Sequence, residues 1–275
     1  MKIANVLWNG KATWVMVDGG EFYPFQGING DEIFNEIEGL KPSSFPLTLD
    51  GREVKWLPIV TRPSKIIAIG LNYMDHIEES KGTLPKNPII FAKYPNSLIG
   101  HKDLVVWNRK ITKKVDYEGE LAIIIGKRAK NLDVDEADSV IAGYTCANDV
   151  SARDLQFGDG QWTRGKSLDT FCPLGPFLVT KDEVEDPQNL SIKTILNGKV
   201  MQDSNTSRMI FGIKELVSFL SKHMTLMPQD VILTGTPGGV GAFRNPPLYL
   251  EDGDEIKVWI ESIGELVNYC RVIED

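Results

Sequence analysis

Cysteine is scarce in this chain, and long hydrophobic runs are missing. The three cysteines, Cys146, Cys172 and Cys270, are widely separated and lack metal-type spacing, which argues against a disulfide framework or a zinc site. No window approaches the roughly 18 consecutive apolar residues that a membrane span needs. No apolar leader segment follows Met1. These shortages predict a cytoplasmic protein without a membrane partner.

Basic residues are outnumbered by acidic ones, 30 to 38. The formal net charge is −8 and the pI is about 5.1, whereas a nucleic-acid-binding surface needs clustered basic residues. The nearest basic cluster consists of the arginine and lysines at positions 109, 110, 113 and 114. We interpret it as a solvent-exposed edge of the protein. With 42% hydrophobic residues, the chain can still bury a substantial core. We therefore expect a folded protein whose partner is a small molecule and not a nucleic acid.

Strand-like segments dominate the chain, and helical patterns are few. Short aromatic-bearing stretches broken by glycine and proline predict a small strand-rich N-terminal domain over residues 1–60, followed by a second domain over residues 61–275. Asn197-Gly198 between two apolar stretches predicts a two-residue hairpin. Apolar residues at helical spacing predict one long helix over residues 213–224, and shorter helices are expected over residues 74–81 and 134–140. This pattern is typical of a β-rich α+β protein.

Two glutamates stand at the start of a segment that has the pattern of a buried strand. Glu118 and Glu120 lead into the apolar residues 121–125, and side chains two apart on a strand share a face. Two buried carboxylates side by side repel each other, so they need protonation or a cation. Hard divalent ions such as Mg²⁺ take oxygen ligands of this kind. The alternative is a strand end open to solvent with both glutamates hydrated, and the pair alone does not decide.

Five short motifs follow one another along the chain. They are residues 70–76 (GLNYMDH), 116–120 (DYEGE), 148–156 (NDVSARDLQ), 165–170 (GKSLDT) and 233–241 (LTGTPGGVG). In this order and spacing they resemble the fumarylacetoacetate hydrolase family over about residues 62–272. The resemblance implies a mixed β-sandwich roll with flanking helices and a small N-terminal strand-rich domain. It also implies an assembly that is usually a homodimer.

The resemblance extends to three acidic residues. Glu118, Glu120 and Asp149 match family carboxylates that usually hold Mg²⁺ or Mn²⁺, and Ca²⁺ in some members. An ion held by three carboxylates keeps open positions that two oxygens of a 2-oxo acid can chelate. Taken alone, Asp149 would more often be an aspartate at a strand end or a helix cap. The ordered set of motifs favours the ligand interpretation.

Two basic residues extend the implied site. Lys166 lies in a polar segment that would ordinarily be a solvent-facing loop, but the resemblance places its ammonium near the metal. There it would stabilise enolate or oxyanion charge. Arg153 would bind a substrate carboxylate through its planar guanidinium. An ion pair of Arg153 with Asp154 or Asp149 remains the alternative.

The other implied residues are an acid-base pair and three hydrogen-bonding side chains. His76 and Glu79 would share one face of the expected helix, and a carboxylate that orients an imidazole raises its basicity. By resemblance this pair activates water, whereas an isolated histidine of this kind is more often exposed on a surface helix. Tyr73, Gln156 and Thr236 would contact the substrate.

These residues define the expected reaction. The leading hypothesis is a divalent-metal-dependent enzyme that hydrolyses a carbon-carbon bond of acylpyruvate-type 2-oxo or 2,4-dioxo carboxylates. The alternative on the same site is an oxaloacetate decarboxylase or tautomerase, or a hydroxymuconate-type isomerase. A non-catalytic fold with a structural ion site is the alternative of another class.

Overall fold

Strands form most of the regular structure in the computed structural model, which describes residues 1–27, 33–47 and 54–274. The strands are β1 Lys2–Trp8, β2 Lys11–Asp18, β3 Glu21–Pro24, β4 Lys55–Leu57, β5 Ile66–Gly70, β6 Ile89–Lys93, β7 Leu98–Ile99, β8 Leu104–Asn108, β9 Val115–Asp116, β10 Gly119–Ile125, β11 Ile141–Asn148, β12 Ser151–Ala152, β13 Cys172–Thr180, β14 Ser191–Leu196, β15 Lys199–Asn205, β16 Val231–Leu233, β17 Glu255–Ile260 and β18 Gly264–Ile273. The α-helices are α1 Ile33–Glu36, α2 Met74–Ser80, α3 Arg153–Asp159, α4 Thr163–Lys166 and α5 Ile213–His223. Short 3-10 helices are Ile37–Gly39, Pro95–Ser97, Val134–Val140, Lys181–Glu183, Thr206–Arg208 and Gly241–Phe243.

Two mixed sheets form the framework. The larger sheet runs in the order β3-β2-β1-β13-β11-β10-β16-β5-β6, with β4 beside β1 and β7 beside β13. The smaller sheet runs in the order β15-β14-β17-β18-β8. Most neighbouring strands are antiparallel, but the pairs β16/β5, β13/β7 and β18/β8 are parallel. The mixed, β-rich fold expected from the sequence is therefore confirmed.

Strand β10 is buried on both faces because it lies in the middle of this framework. Leu121 and Ile123 on one face belong to the main core, together with Ile260 of the second sheet and residues of α5. Ala122 and Ile124 on the other face pack into a second core that includes residues of the N-terminal strands. All seven residues of β10 are buried. The acidic residues at its start therefore lie inside the protein.

Several local predictions from the sequence are confirmed. Asn197 and Gly198 both have positive φ, at 50° and 78°, as a two-residue hairpin turn between β14 and β15 requires. Helix α5 buries its apolar face, and α2 forms where the short helix was expected. Residues 134–140 form a 3-10 helix, and Asp133 and Glu136 complete its capping box.

The N-terminal strands continue the large sheet. Lys2 and Ile3 of β1 pair with Val179 and Leu178 of β13, so backbone hydrogen bonds join the first strand to the rest of the chain. The division into domains at residues 1–60 and 61–275 stays a prediction. Among the described residues, no helix has the length and apolar character that crossing a membrane requires.

Candidate active site

The three acidic residues come together because two antiparallel strands begin and end at the same place. In the register of β10 and β11, Gly119 lies opposite Asn148, so the start of one strand meets the end of the other. The backbone amide of Asp149 donates to the carbonyl of Glu118 at 2.8 Å. One carboxylate oxygen from each of Glu118, Glu120 and Asp149 lies within 4.8 Å of the others. None of the three is more than 5% exposed, so the solvent-hydrated alternative is wrong.

The carboxylates differ in their surroundings. Burial alone would raise the pKa of Glu118, but the charges of Lys166 and Arg153 outweigh it and lower the pKa to about 2. Burial, reinforced by the charges of Asp149 and Glu118, raises the pKa of Glu120 well above its ordinary value. Glu120 accepts one backbone hydrogen bond from Gly235 at 2.7 Å. Glu120 is therefore the carboxylate that most needs an additional cation.

Lys166 and Arg153 lie against this cluster. The ammonium Nζ of Lys166 donates to Glu118 Oε2 and Asp149 Oδ2, each at 2.7 Å. Arg153 pairs with Glu118 Oε1 at 2.6 Å and with Asp116 Oδ2 at 2.8 Å, rather than with either aspartate considered from the sequence. Its Nη2 is buried and has no hydrogen-bond partner among the described residues. A donor is therefore available for a ligand.

The charge of Lys166 follows from this environment. Burial alone would lower the pKa of the ammonium, but the nearby charges of Asp149 and Glu118 outweigh burial and raise the pKa. The ammonium form is therefore favoured at neutral pH. A buried positive charge at this position can stabilise negative charge that develops on a ligand.

His76 and Glu79 form the expected pair on α2. His76 Nδ1 lies 2.8 Å from Glu79 Oε1, and His76 is only 7% exposed, so the surface-helix alternative does not hold. The other carboxylate oxygen of Glu79 accepts from the amide of Gly239 at 2.7 Å. Because a carboxylate accepts hydrogen bonds, Nδ1 carries the proton, and Nε2 is left as the basic ring nitrogen.

A cavity of about 80 Å³ lies beside these groups. His76, Glu118, Arg153, Gln156, Lys166 and Thr236 all line it. The rest of its lining includes the aromatic side chains of Phe91, Phe157, Trp162 and Phe243. The cavity lining thus brings together His76 of the acid-base pair, Glu118, the lysine, the arginine and two of the three residues expected to contact substrate.

Of the three residues expected to contact substrate, Tyr73 is the one that does not line the cavity. Its side chain is fully buried in the main core. Its hydroxyl has no hydrogen-bond partner among the described residues. Burial, with the charges of Glu120 and Asp75, raises the pKa of this hydroxyl well above its ordinary value. A substrate contact by Tyr73 stays a prediction.

Two charged residues of the site were not identified from the sequence. Asp116 is fully buried and accepts from Arg153 and from the amides of Gly241 and Ala242. Lys93 is buried and pairs with Asp149 at 2.6 Å. A signal for Lys93 exists, since it follows the apolar strand residues 89–92 and occupies the same face as buried Phe91.

The residues present suit a divalent cation. The site offers carboxylate oxygens, which Mg²⁺ and Mn²⁺ prefer. Four buried carboxylates, those of Asp116, Glu118, Glu120 and Asp149, face three buried cations, those of Lys93, Arg153 and Lys166. One negative charge is therefore in excess before His76 is considered. A divalent ion would reverse that sign and would attract an anionic substrate.

Comparison with known proteins identifies the family. The family model described as the fumarylacetoacetate hydrolase C-terminal region matches residues 65–272. The chain therefore belongs to the fumarylacetoacetate hydrolase family, whose members are enzymes that typically use a divalent metal.

Two curated relatives are oxaloacetate tautomerases. A mitochondrial oxaloacetate tautomerase of Bos taurus is 50% identical over 241 residues, which cover 87% of this chain and 76% of that protein. A mitochondrial oxaloacetate tautomerase of Rattus norvegicus is 48% identical over 217 residues, covering 78% of this chain and 69% of that protein. These relatives are named as mitochondrial, so the prediction of a cytoplasmic location is wrong. The shortages of cysteine, long apolar runs and a visible leader segment did not determine the compartment.

Two solved structures of similar chains carry isomerase names. The 2-hydroxyhepta-2,4-diene-1,7-dioate isomerase of Mycobacterium marinum is 34% identical with a TM-score of 0.85, and the match covers 100% of both chains. The 5-carboxymethyl-2-hydroxymuconate delta-isomerase of Mycobacterium smegmatis is 36% identical with a TM-score of 0.83, and the match covers 99% of this chain and 100% of that one. The names of these four relatives match the isomerase and tautomerase alternative and not the hydrolase hypothesis.

Proposed function

We propose that this enzyme interconverts the keto and enol forms of a 2-oxo acid with the help of Mg²⁺ or Mn²⁺, and that oxaloacetate is the first substrate to test. The observation that carries the proposal is the position of Lys166 Nζ. It lies 2.7 Å from both Glu118 and Asp149, and Lys166 lines the cavity. The tautomerase names of relatives at 48–50% identity support the choice of substrate.

Glu118, Glu120 and Asp149 would hold the ion, which when bound would polarise the 2-oxo group as a Lewis acid. The unpartnered Nη2 of Arg153 would donate to the substrate carboxylate. The side chain of Arg153 is held by Asp116, Glu118 and Gln156, so its guanidinium needs little reorganisation when substrate arrives.

Lys166 would move the proton. In the direction from enol to keto, its ammonium donates a proton to the carbon next to the 2-oxo carbon. The proton that leaves the enol hydroxyl then restores the ammonium, so the substrate gains and loses one proton. In the reverse direction the ammonium gives a proton to the 2-oxo oxygen, and the neutral amine then takes a proton from the adjacent carbon, so the lysine again ends as the ammonium. This scheme uses the lysine, whereas His76 and Glu79 have no obligatory part in it.

The test follows the ultraviolet absorbance of the oxaloacetate enol as it converts to the keto form. We expect the ion-loaded wild type to accelerate conversion, Lys166→Met to lose the acceleration, and His76→Ala to keep much of it. No acceleration by the wild type with either ion would contradict the proposal. Equal activity of Lys166→Met and the wild type would contradict the assigned role of the lysine.

Hydrolysis of acylpyruvates is the second candidate function, and two observations favour it. His76 is buried at the cavity with Nδ1 held by Glu79, which suits a base that takes a proton from water. The aromatic side chains of Phe157 and Phe243 line the cavity and are partly exposed, which suits an apolar acyl tail. Under this candidate, His76→Ala should abolish the release of pyruvate from an acylpyruvate. No pyruvate release by the ion-loaded wild type would exclude it.

A further inference from the structure

The buried side chain of Lys93 is unusual for its element. Strand β6 is the last strand of the large sheet, and its exposed and buried residues alternate. An apolar residue is the normal occupant of a buried strand position. Lys93 takes that position with an ammonium group that is fully removed from solvent. Burying such a charge is unfavourable unless hydrogen bonds and an opposite charge compensate for it.

Those compensating contacts involve residues of the site. The Lys93 ammonium donates to Asp149 Oδ1 at 2.6 Å, to the carbonyl of Val150 at 3.3 Å and to the carbonyl of Lys166. A lysine ammonium has three donors, and these three acceptors use all of them. Lys93 is also not part of the cavity lining. It therefore has no donor to offer a substrate.

Each oxygen of the Asp149 carboxylate accepts a hydrogen bond from a different lysine. Lys93 occupies Oδ1, while Oδ2 faces Lys166 Nζ at 2.7 Å and belongs to the acidic cluster. Because each oxygen has its own cationic partner, rotation of the carboxylate would break both contacts. The same ammonium of Lys93 also binds the last residue of α4 through its carbonyl.

We infer that Lys93 is a positioning residue that orients Asp149 for divalent-ion binding, an inference that rests on the proposed metal site. A hydrogen-bond partner behind a metal ligand fixes the direction of that ligand, and losing such a partner typically weakens ion affinity by about 10–100-fold. Lys93 performs this role from outside the cavity. It also supplies one of the three buried positive charges that offset the acidic cluster.

The experiment is a calorimetric titration of chelator-treated protein with Mn²⁺. Lys93→Met removes the charge and all three donors but keeps an unbranched apolar side chain of similar length. We expect its Mn²⁺ affinity to be about 10–100-fold below that of the wild type. If Lys93→Met does not remain folded, the same titration is made on Lys93→Gln, which keeps two donors without the charge.

Lys65→Met is the matched control. Lys65 Nζ lies 2.5 Å from fully buried Asp230, and the Lys65 side chain is 25% exposed, so the same substitution removes an ion pair with a buried aspartate. The backbone carbonyl of Asp230 accepts a hydrogen bond from the amide of Ile125. Ile125 is the last residue of β10, whereas Glu118 and Glu120 lie at its start. We expect this variant to lose stability and to keep the wild-type ion affinity.

The outcomes separate the two proposals. Weaker Mn²⁺ binding in the Lys93 variant but not in the Lys65 variant supports the inference. Wild-type Mn²⁺ affinity in the Lys93 variant overturns it, since Lys93 would then be an ordinary buried ion pair. A wild type that binds no divalent ion contradicts the proposed function instead.

Discussion

Arg153 shows how one side chain can serve both the structure and the ligand. Two of its nitrogens hold Asp116 and Glu118, while Nη2 has no partner among the described residues. Lysine has the same charge but only a single nitrogen, so it cannot span three positions at fixed angles. The residue type therefore matters here beyond its charge.

We predict that Arg153→Lys raises KM for the 2-oxo acid about tenfold, an effect on the order of 1–2 kcal/mol from the lost Nη2 contact. Steady-state kinetics at saturating Mn²⁺ measures it. Arg164→Lys is the control, because Arg164 is exposed and pairs only at the surface with Asp159. An unchanged KM in Arg153→Lys would rule out carboxylate binding by this residue.

For single residues, the sequence predicted a site position where a motif contains the residue. It did not predict residues that only the tertiary fold brings to the site. The closeness of Glu118, Glu120 and Asp149 was anticipated from the ordered motifs. Lys93 was not anticipated, because its partner Asp149 is 56 residues away in the sequence and only the tertiary fold brings them together. For Tyr73 the motif predicted a substrate contact, and the position in the motif did not reveal that the side chain faces the core.

Among the elements, α2 depends on the glycine-rich segment that follows β16. The amide of Gly239 donates to Glu79, which in turn holds His76. Gly239 has φ of 104°, and a Cβ added there would lie 2.3 Å from the carbonyl oxygen of Met201. Only glycine combines that backbone conformation with the close approach to Met201.

We predict that Gly239→Ala destabilises the protein by roughly 2–4 kcal/mol, since backbone strain and a steric clash add together. Gly198→Ala is the matched control, because Gly198 also has positive φ but nothing lies within 4 Å of the added Cβ. That variant should lose only about 1 kcal/mol. Thermal or denaturant unfolding measures both changes, and equal losses would show that the contact with Met201 is unimportant.

Local elements were predictable where short-range rules determine them. The Asn197-Gly198 turn and the apolar face of α5 depend on residues close in sequence. The pairing of β1 with β13 joins residues more than 170 positions apart, and no local pattern specifies it. The family resemblance predicted the type of fold, and the order of the strands was not predicted.

Across the whole molecule, His101 connects separate parts of the chain. Its ring contacts Trp56 of β4 edge-on at 5.1 Å, and its Nδ1 accepts from the amide of Val267 in β18 at 3.1 Å. Burial, with a smaller contribution from the charge of Lys102, lowers the pKa of His101 from 6.5 to about 4. The folded protein therefore keeps His101 neutral where the unfolded chain already binds a proton.

This difference gives stability a defined pH dependence. The unfolded state binds more protons between pH 6.5 and about 4, so the free energy of unfolding falls as pH decreases through that window. Because His101 is only partly buried, we predict a contribution of roughly 1–2 kcal/mol. Denaturant unfolding at several pH values should show a smaller fall for His101→Gln than for the wild type. His223→Gln, at an exposed site, should retain the wild-type fall; identical curves for all three proteins would contradict the prediction.

The central claim is that three carboxylates hold one divalent ion, which in turn binds a 2-oxo acid. Calorimetry with oxalate, a mimic of the pyruvate enolate, tests it most directly on chelator-treated protein before and after Mn²⁺ is added. We predict that one Mn²⁺ binds per chain, that oxalate binds only after the ion, and that Glu120→Gln weakens both. Oxalate binding of equal strength without the ion, or unchanged Mn²⁺ affinity in Glu120→Gln, would contradict the account.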